Sequence, residues 1–190
     1  LNSFELETLK TNGFYRDAKT YSYVFQYPPS TSLHAFSEQQ VASLISENTL
    51  KRKLGLYVHI PYCTGSCTYC YFAQYPQKAA PIEISEYLSL VKDEIDLTIH
   101  QFLLEDSEVT SIAFGGGTPT CMNIKDAKII MSWIYSELKH QPDIEVSFEA
   151  SPETIIGENS GYLFDLLSLN VNRISIGIQS FEDKLLKSLK

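Results

Sequence analysis

From residue 55 onward, short runs of alternating hydrophobic and polar residues are each followed by a longer stretch with apolar residues three or four positions apart. The first spacing is typical of strands and the second of helices. Strands are predicted at 56–60, 109–114, 144–150 and 171–178, and helices at 84–102, 123–138, 162–169 and 182–190. Strands that alternate with helices imply a parallel sheet with helices outside it. The chain is therefore predicted to be an α/β protein.

Each predicted strand has one apolar face and one polar or small face. In the first strand, Val58 and Ile60 share the apolar face, whereas Tyr57 and His59 share the other. We expect the apolar faces to contact the helices. Because a closed eight-stranded barrel fills its interior with bulky Val, Ile and Leu, the polar faces favour a wider or open barrel that holds a ligand. A single sheet face in contact with solvent is the alternative.

The first 54 residues show weaker periodicity and are predicted to form an N-terminal arm, separate from a core at 55–190. Aromatic residues alternate at 21–27 before two prolines, which predicts a short strand or an extended segment. Ser37 is in a position to begin a short helix. Asn123 is expected to cap the second core helix, and Asn170 to close the third in the left-handed conformation.

Composition narrows the possible functions. The 190 residues are 44% hydrophobic and 20% charged, with a net charge of −8, which is typical of a globular domain. The sequence has no basic patch of the kind that binds nucleic acid. None of its apolar runs approaches the roughly 20 residues of a membrane-spanning helix. Since no signal peptide is recognisable, we expect a cytoplasmic protein. The chain begins at Leu1 rather than Met and ends inside a helical pattern, so we expect a fragment of a longer protein.

Three of the four cysteines, Cys63, Cys67 and Cys70, lie within eight residues, directly after the first predicted strand. Without a secretory signal, such a cluster favours metal binding over disulfides. A loop, which Gly65 makes easier to wrap, can turn three thiolates towards one iron–sulfur cluster, and three ligands leave one iron open. The alternative is a zinc site at Cys67 and Cys70, completed by two further ligands such as His59 and Cys121. Neither of these has a usual zinc-finger spacing.

The run from Tyr57 to Phe72 resembles the signature loop of radical SAM enzymes. The resemblance implies that Cys63, Cys67 and Cys70 hold a [4Fe–4S] cluster whose fourth iron binds S-adenosylmethionine (SAM). Electron transfer then cleaves the S–C5′ bond and gives a 5′-deoxyadenosyl radical. It also implies a partial (βα) barrel of the radical SAM type, truncated after about four of its six βα units. Tyr69, just before the third cysteine, matches an aromatic residue that packs near the adenine.

Two further segments extend the resemblance. A triple glycine after a strand is by itself most often a plain turn. Following the cysteine loop, Gly116, Gly117 and Thr118 resemble a glycine motif that contacts the methionyl amino group of SAM. Glu149 and Gln179 are predicted at the carboxyl ends of the third and fourth strands, where barrel ligands bind. Taken singly, each is more often a solvated residue; in this set, they resemble SAM-positioning residues.

Four motifs, in order, resemble the branch of oxygen-independent coproporphyrinogen III oxidase, its haem-chaperone relatives and the class C methylases. They begin at Tyr57 (YVHIP), Gly115 (GGGTPT), Glu149 (EASPE) and Asn172 (NRISIGIQSF). In that branch, Tyr57 and His59 match residues near cofactor and substrate, and His59 is the candidate catalytic residue, with strand packing as the alternative. The oxidase carries a fourth cysteine where this chain has Phe72, which favours a look-alike over the oxidase itself.

The resemblance implies a [4Fe–4S] cluster and one or two molecules of SAM as cofactors. It also implies a porphyrinogen or haem as the small-molecule substrate and a reductant such as flavodoxin or ferredoxin as a partner. No nucleic acid or membrane partner is expected. Two alternatives stay open: a haem chaperone that binds haem and cluster without turnover, and a zinc-stabilised interaction domain. A cofactor-contacting arginine and the substrate-binding C-terminal domain of the family are expected beyond Lys190.

Overall fold

The computed structural model describes residues 35, 37, 39, 40, 43, 52–70, 72, 75, 76, 80–102, 104–156 and 161–189. Contacts divide the chain into two compact units, Leu1–Leu44 and Ile45–Lys190. In the first unit, the Ser37 amide donates to Gln40 Oε1 at 2.9 Å and the Gln40 amide donates to Ser37 Oγ at 3.3 Å. This reciprocal capping box begins the predicted short helix. The alternating segment at 21–27 lies outside the described residues.

The described residues of the second unit form six strands and five α-helices. In chain order they are β1 Lys53–Ile60, β2 Tyr62–Cys63, β3 Tyr75–Pro76, α1 Ile84–Gln101, β4 Glu108–Gly116, α2 Ile124–Glu137, β5 His140–Ala150, α3 Pro152–Ile155, α4 Tyr162–Ser168, β6 Arg173–Ile176 and α5 Asp183–Ser188. A 3₁₀ turn at Pro119–Cys121 joins β4 to α2. None of these helices is both long and apolar enough to span a membrane.

Four strands form the predicted parallel sheet, in the order β1-β4-β5-β6. The register pairs Ile60 with Gly116, Phe114 with Phe148, and Ala150 with Ile176. Because all four strands run the same way, their carboxyl ends meet at one edge of the sheet. The α/β fold predicted from the alternation of strands and helices is confirmed.

The hydrophobic core lies on the predicted face of the sheet. Val58, Ile60, Phe114 and Phe148 are buried there, and the rings of Phe114 and Phe148 stack 4.3 Å apart. The same cluster takes in buried apolar residues of three helices: Ile84, Leu88 and Val91 of α1, Ala127, Ile130, Met131 and Ile134 of α2, and Leu166 of α4. On the opposite face Tyr57 is exposed and His59 half-buried. Helices therefore bury one face of the sheet and leave these two side chains of the other face accessible.

Helix ends follow the predictions, whereas the last strand does not. The Asn123 side chain accepts a hydrogen bond from the Asp126 amide at 2.9 Å, and Asn170 has a φ of 63°. However, β6 ends at Ile176 rather than Ile178, and Ile176 is 43% exposed. The predicted apolar face holds at Ile174, which packs against the core, and is lost at Ile176, where the strand ends.

We predict that Asn172→Ala weakens the attachment of β6 to β5. The Asn172 side chain accepts a hydrogen bond from the Val146 amide at 2.9 Å and donates one to the Ile144 carbonyl at 2.8 Å. Losing both bonds should lower the free energy of unfolding by about 1–3 kcal/mol, measured by urea denaturation followed by circular dichroism. Asn172→Asp keeps the acceptor but places a carboxylate oxygen against the Ile144 carbonyl, so it should lose at least as much. Equal stability of the alanine variant and the original chain would contradict this role.

Candidate functional site

A cavity of about 1090 Å³ opens where the strands of the sheet end. The loop that follows β2, the turn after β4, the end of β5 and the segment from β6 to α5 contribute its walls. Among the residues singled out in the sequence, those that line it are Cys63, Cys67, Tyr69, Cys70, Gly117, Thr118, Glu149 and Gln179. The tertiary structure thus gathers around one space residues that lie more than a hundred positions apart.

Three of the four cysteines border this cavity on one loop, residues 63–70, which we call the cysteine loop. Cys63 is buried at the end of β2, Cys70 is half-buried and Cys67 is exposed, and all three are free thiols. The loop leaves from β2, which pairs with β3, and the Tyr75 amide donates to the Pro61 carbonyl at 2.7 Å. Among the described residues, no three His, Cys, Asp or Glu side chains converge with metal-binding geometry.

The surroundings of Cys63 and Tyr69 favour the neutral thiol and the neutral phenol. Burial raises the pKa of Cys63, and its hydrogen bond with the Thr118 hydroxyl, at 3.7 Å, partly opposes this. The other two thiols and Glu153 raise the pKa of Cys63 further. Burial, followed by a hydrogen bond with Cys67, raises the pKa of Tyr69 to about 12. A bound cation reverses this balance, because a coordinating thiol is deprotonated.

The glycines after β4 are required by close contacts. Gly116 has a φ of 112°, and a Cβ there would lie 2.7 Å from the His59 ring. A Cβ on Gly117 would lie 2.5 Å from the Tyr62 carbonyl oxygen and 2.8 Å from Cys63 Sγ. The Gly117 amide also donates to the Ile60 carbonyl at 2.8 Å. Without side chains, this segment packs directly against the start of the cysteine loop.

Gly65 differs from these two glycines. A Cβ on Gly65 would meet nothing within 4 Å, and Gly65 is not among the positive-φ glycines. Neither the space around Gly65 nor its backbone conformation therefore requires a glycine, and its ease of wrapping stays an expectation.

Tyr57, His59 and Glu149 form a polar group on the ligand-facing side of the sheet. The Tyr57 hydroxyl lies 3.1 Å from His59 Nδ1, and the Gly116 amide donates to Glu149 Oε2 at 3.2 Å. Burial and then the Glu149 carboxylate raise the pKa of Tyr57. Tyr57 and His59 line a second cavity, of about 430 Å³, between β1 and α1. Glu149 is therefore the member of this group that borders the large cavity.

Gln179 borders the large cavity, but not from the end of a strand. It lies three residues after β6 with a φ of 64°, and its Nε2 covers Gly177, 2.8 Å from the position of a Cβ there. The Gly177 amide donates to the Ala150 carbonyl at 2.9 Å. The prediction that Gln179 ends a strand is wrong, because the backbone leaves the sheet at Gly177 and turns the side chain over this glycine.

Several side-chain contacts near the site could not be predicted from the sequence pattern. Thr64 Oγ1 donates to Glu153 Oε1 at 2.8 Å, which joins the cysteine loop to α3. The buried hydroxyls of Thr120, in the 3₁₀ turn, and Thr154, in α3, lie 2.5 Å apart. Both pairs join residues more than thirty positions apart. Although Glu153 stands within a motif noted in the sequence, periodicity alone points to none of these residues.

Comparison with known proteins assigns the family. Residues 57–190 match the family described as the radical SAM superfamily, and the chain belongs to it. Heme chaperone HemW of Haemophilus influenzae is 34% identical over 138 residues, which cover 72% of this chain and 35% of that protein. Oxygen-independent coproporphyrinogen III oxidase of Synechocystis is 30% identical over 161 residues, which cover 84% of this chain and 34% of that protein. The relatives confirm the coproporphyrinogen oxidase-like branch.

The fold agrees with this assignment. Coproporphyrinogen III oxidase (HemN) from Escherichia coli, described as a radical SAM enzyme, superposes with a TM-score of 0.69 at 24% identity. The match covers 88% of this chain and 37% of that one. The α/β fold is thus a partial radical SAM barrel, and the chain spans about a third of the length of the relatives it matches.

Membership of the superfamily implies a [4Fe–4S] cluster and SAM. The side chains at the large cavity match these groups in chemical type, although the three described thiols do not converge in metal-binding geometry. Three free thiols border a cavity of about 1090 Å³ that also exposes a carboxylate and an amide. Thiolates are the usual ligands of iron–sulfur clusters. The zinc alternative fits less well, because Cys121 does not line the large cavity and its thiol donates to the Tyr62 carbonyl at 3.5 Å.

Proposed function

We propose that this chain is the part of a radical SAM enzyme that binds a [4Fe–4S] cluster through Cys63, Cys67 and Cys70. The observation that carries the proposal is the large cavity, which these three thiols line together with Glu149 and Gln179. The chemistry that the bound cofactors supply is one-electron reductive cleavage of the S–C5′ bond of SAM, which gives methionine and the 5′-deoxyadenosyl radical.

The residues of the chain bind and orient SAM. Glu149 Oε2 is held by the Gly116 amide, so that the carboxylate is positioned to accept a hydrogen bond from the cofactor's ammonium group. Gly117 and Thr118 form the wall beside Cys63, and the Gln179 amide offers one donor and one acceptor.

Tyr69 and Tyr57 complete the proposed cofactor site, and His59 is the proposed catalytic residue. Tyr69 contributes an aromatic face at the cavity wall for the adenine. Because His59 Nδ1 lies 3.1 Å from the Tyr57 hydroxyl, its orientation is fixed, and the ring can hold or move a proton near the reacting atoms.

The proposed substrate is a porphyrinogen or haem, since the names of the relatives refer to these molecules. A reductant such as flavodoxin or ferredoxin would supply the electron, and a cytoplasmic location fits this chemistry. A haem chaperone is the second candidate, favoured by the similarity to HemW and by Phe72 in place of the oxidase's further cysteine. Residues beyond this chain would then decide between turnover and transfer.

The test is the formation of 5′-deoxyadenosine. The chain is purified anaerobically, reconstituted with iron and sulfide, reduced in the presence of SAM, and assayed by chromatography and mass spectrometry. A brown protein that forms 5′-deoxyadenosine would support the proposal. A brown protein that forms none but binds haem stoichiometrically would support the chaperone. A colourless protein that contains zinc would overturn both.

A further inference from the structure

The cysteine loop packs little against the rest of the protein. Residues 64–69 are all exposed, so apolar burial contributes little to their order. An unrestrained loop would lose conformational entropy when its three thiols come together to bind a cluster. The hydrogen bonds that fasten this loop therefore decide how well its cysteines are prepared for a cluster.

Two threonines fasten the loop, and each directly follows a cysteine. Thr64, next to Cys63, donates through Oγ1 to Glu153 Oε1 at 2.8 Å. Thr68, next to Cys67, donates through both its amide and its hydroxyl to the Leu189 carbonyl at 3.2 Å. The hydroxyl of Thr64 donates to a carboxylate, and such charge-assisted hydrogen bonds are stronger than bonds to a neutral carbonyl like those of Thr68.

Glu153 is well placed to act as an anchor because α3 is itself fixed. The Thr154 hydroxyl donates to the Ser151 carbonyl at 2.8 Å and lies 2.5 Å from the Thr120 hydroxyl. Thr154 and Ile155 are buried, whereas Glu153 points outward at the cavity wall. The buried hydroxyl pair therefore holds the backbone of Glu153 against the turn that follows the glycine segment.

We infer that Thr64 and Glu153 are positioning residues that fasten the cysteine loop beside the large cavity, so that its thiols need less rearrangement to bind a cluster than those of an unfastened loop. This bond ties the loop to α3, which begins two residues after the end of β5. The two halves of the cofactor site then keep a constant separation. The effect on the cluster rests on the proposed function, whereas the fastening of the loop does not.

The first measurement is amide hydrogen exchange of the whole chain without iron. Thr64→Val removes the hydroxyl and keeps the shape, and loss of this bond should speed exchange in peptides that cover residues 63–70 by about threefold. Thr64→Ser should restore the slow rate. Ser136→Ala removes an exposed hydroxyl–carboxylate bond of α2, at 3.2 Å, and should leave the loop unchanged. Equal exchange in the valine variant and the original chain would overturn the inference.

The second measurement is iron loss to a chelator after anaerobic reconstitution. Glu153→Ala should release iron several-fold faster than the original chain, while Glu153→Gln, which keeps an acceptor at Oε1, should release it at nearly the original rate. Faster loop exchange with unchanged iron release would also overturn the positioning role. If the original chain takes up no cluster, the proposed function fails, and the exchange experiment still decides whether the loop is fastened.

Discussion

Replacing Cys67 by alanine is expected to leave a protein that holds no [4Fe–4S] cluster and forms no detectable 5′-deoxyadenosine. The proposed site provides three thiolate ligands, and Cys67 is the exposed one. Two thiols do not retain a cubane that needs at least three protein ligands. Iron and sulfide analysis, the visible absorption of the reconstituted protein and the 5′-deoxyadenosine assay measure the effect.

The matched control is Cys121→Ala. Cys121 is the fourth cysteine, and its thiol donates to the Tyr62 carbonyl at 3.5 Å, outside the residues that line the large cavity. This variant should keep its iron and lose about 1 kcal/mol of stability at most. A colourless Cys121→Ala protein, or a Cys67→Ala protein with full iron content, would contradict the assignment of the three ligands.

Gly117→Ala is expected to have the second largest effect. Its Cβ would lie 2.5 Å from the Tyr62 carbonyl oxygen, which is backbone, and 2.8 Å from Cys63 Sγ. Because the backbone cannot rotate away as a side chain can, the segment around β2 must shift and displace Cys63. Overpacking of this kind costs about 1–3 kcal/mol, so we expect roughly a tenfold or greater fall in the fraction of protein that retains a cluster.

Gly65→Ala provides the comparison, because it makes the same chemical change in the cysteine loop, against which Gly117 packs. A Cβ on Gly65 has no neighbour within 4 Å, so iron content after reconstitution should stay near that of the original chain. Circular dichroism of both variants separates a local shift from a loss of fold. If Gly117→Ala retained its iron as well as Gly65→Ala does, close packing of the glycine segment on the cysteine loop would not be needed for the cluster.

Much of the fold could be predicted from the sequence because its signals are local. Alternation along β1, the spacing of apolar residues in α1 and α2, and the capping side chain of Asn123 act within a few residues of where they stand. They fixed the order of elements and the buried face. Strand β6 was predicted too long, because its hydrophobic pattern continues past Ile176 although the backbone leaves the sheet at Gly177.

The sequence by itself also determined the family, because the spacing of three cysteines and the four ordered motifs identify it. The tertiary structure decided which residues meet. It brought Glu149 and Gln179 to the cavity of the cysteine loop, placed Tyr57 and His59 against Gly115 and Gly116, and joined Thr64 to Glu153 across 89 positions. Such contacts depend on the register of the strands and on the conformation of the turns between elements, and both are set by interactions spread over the whole chain. No local pattern encodes them.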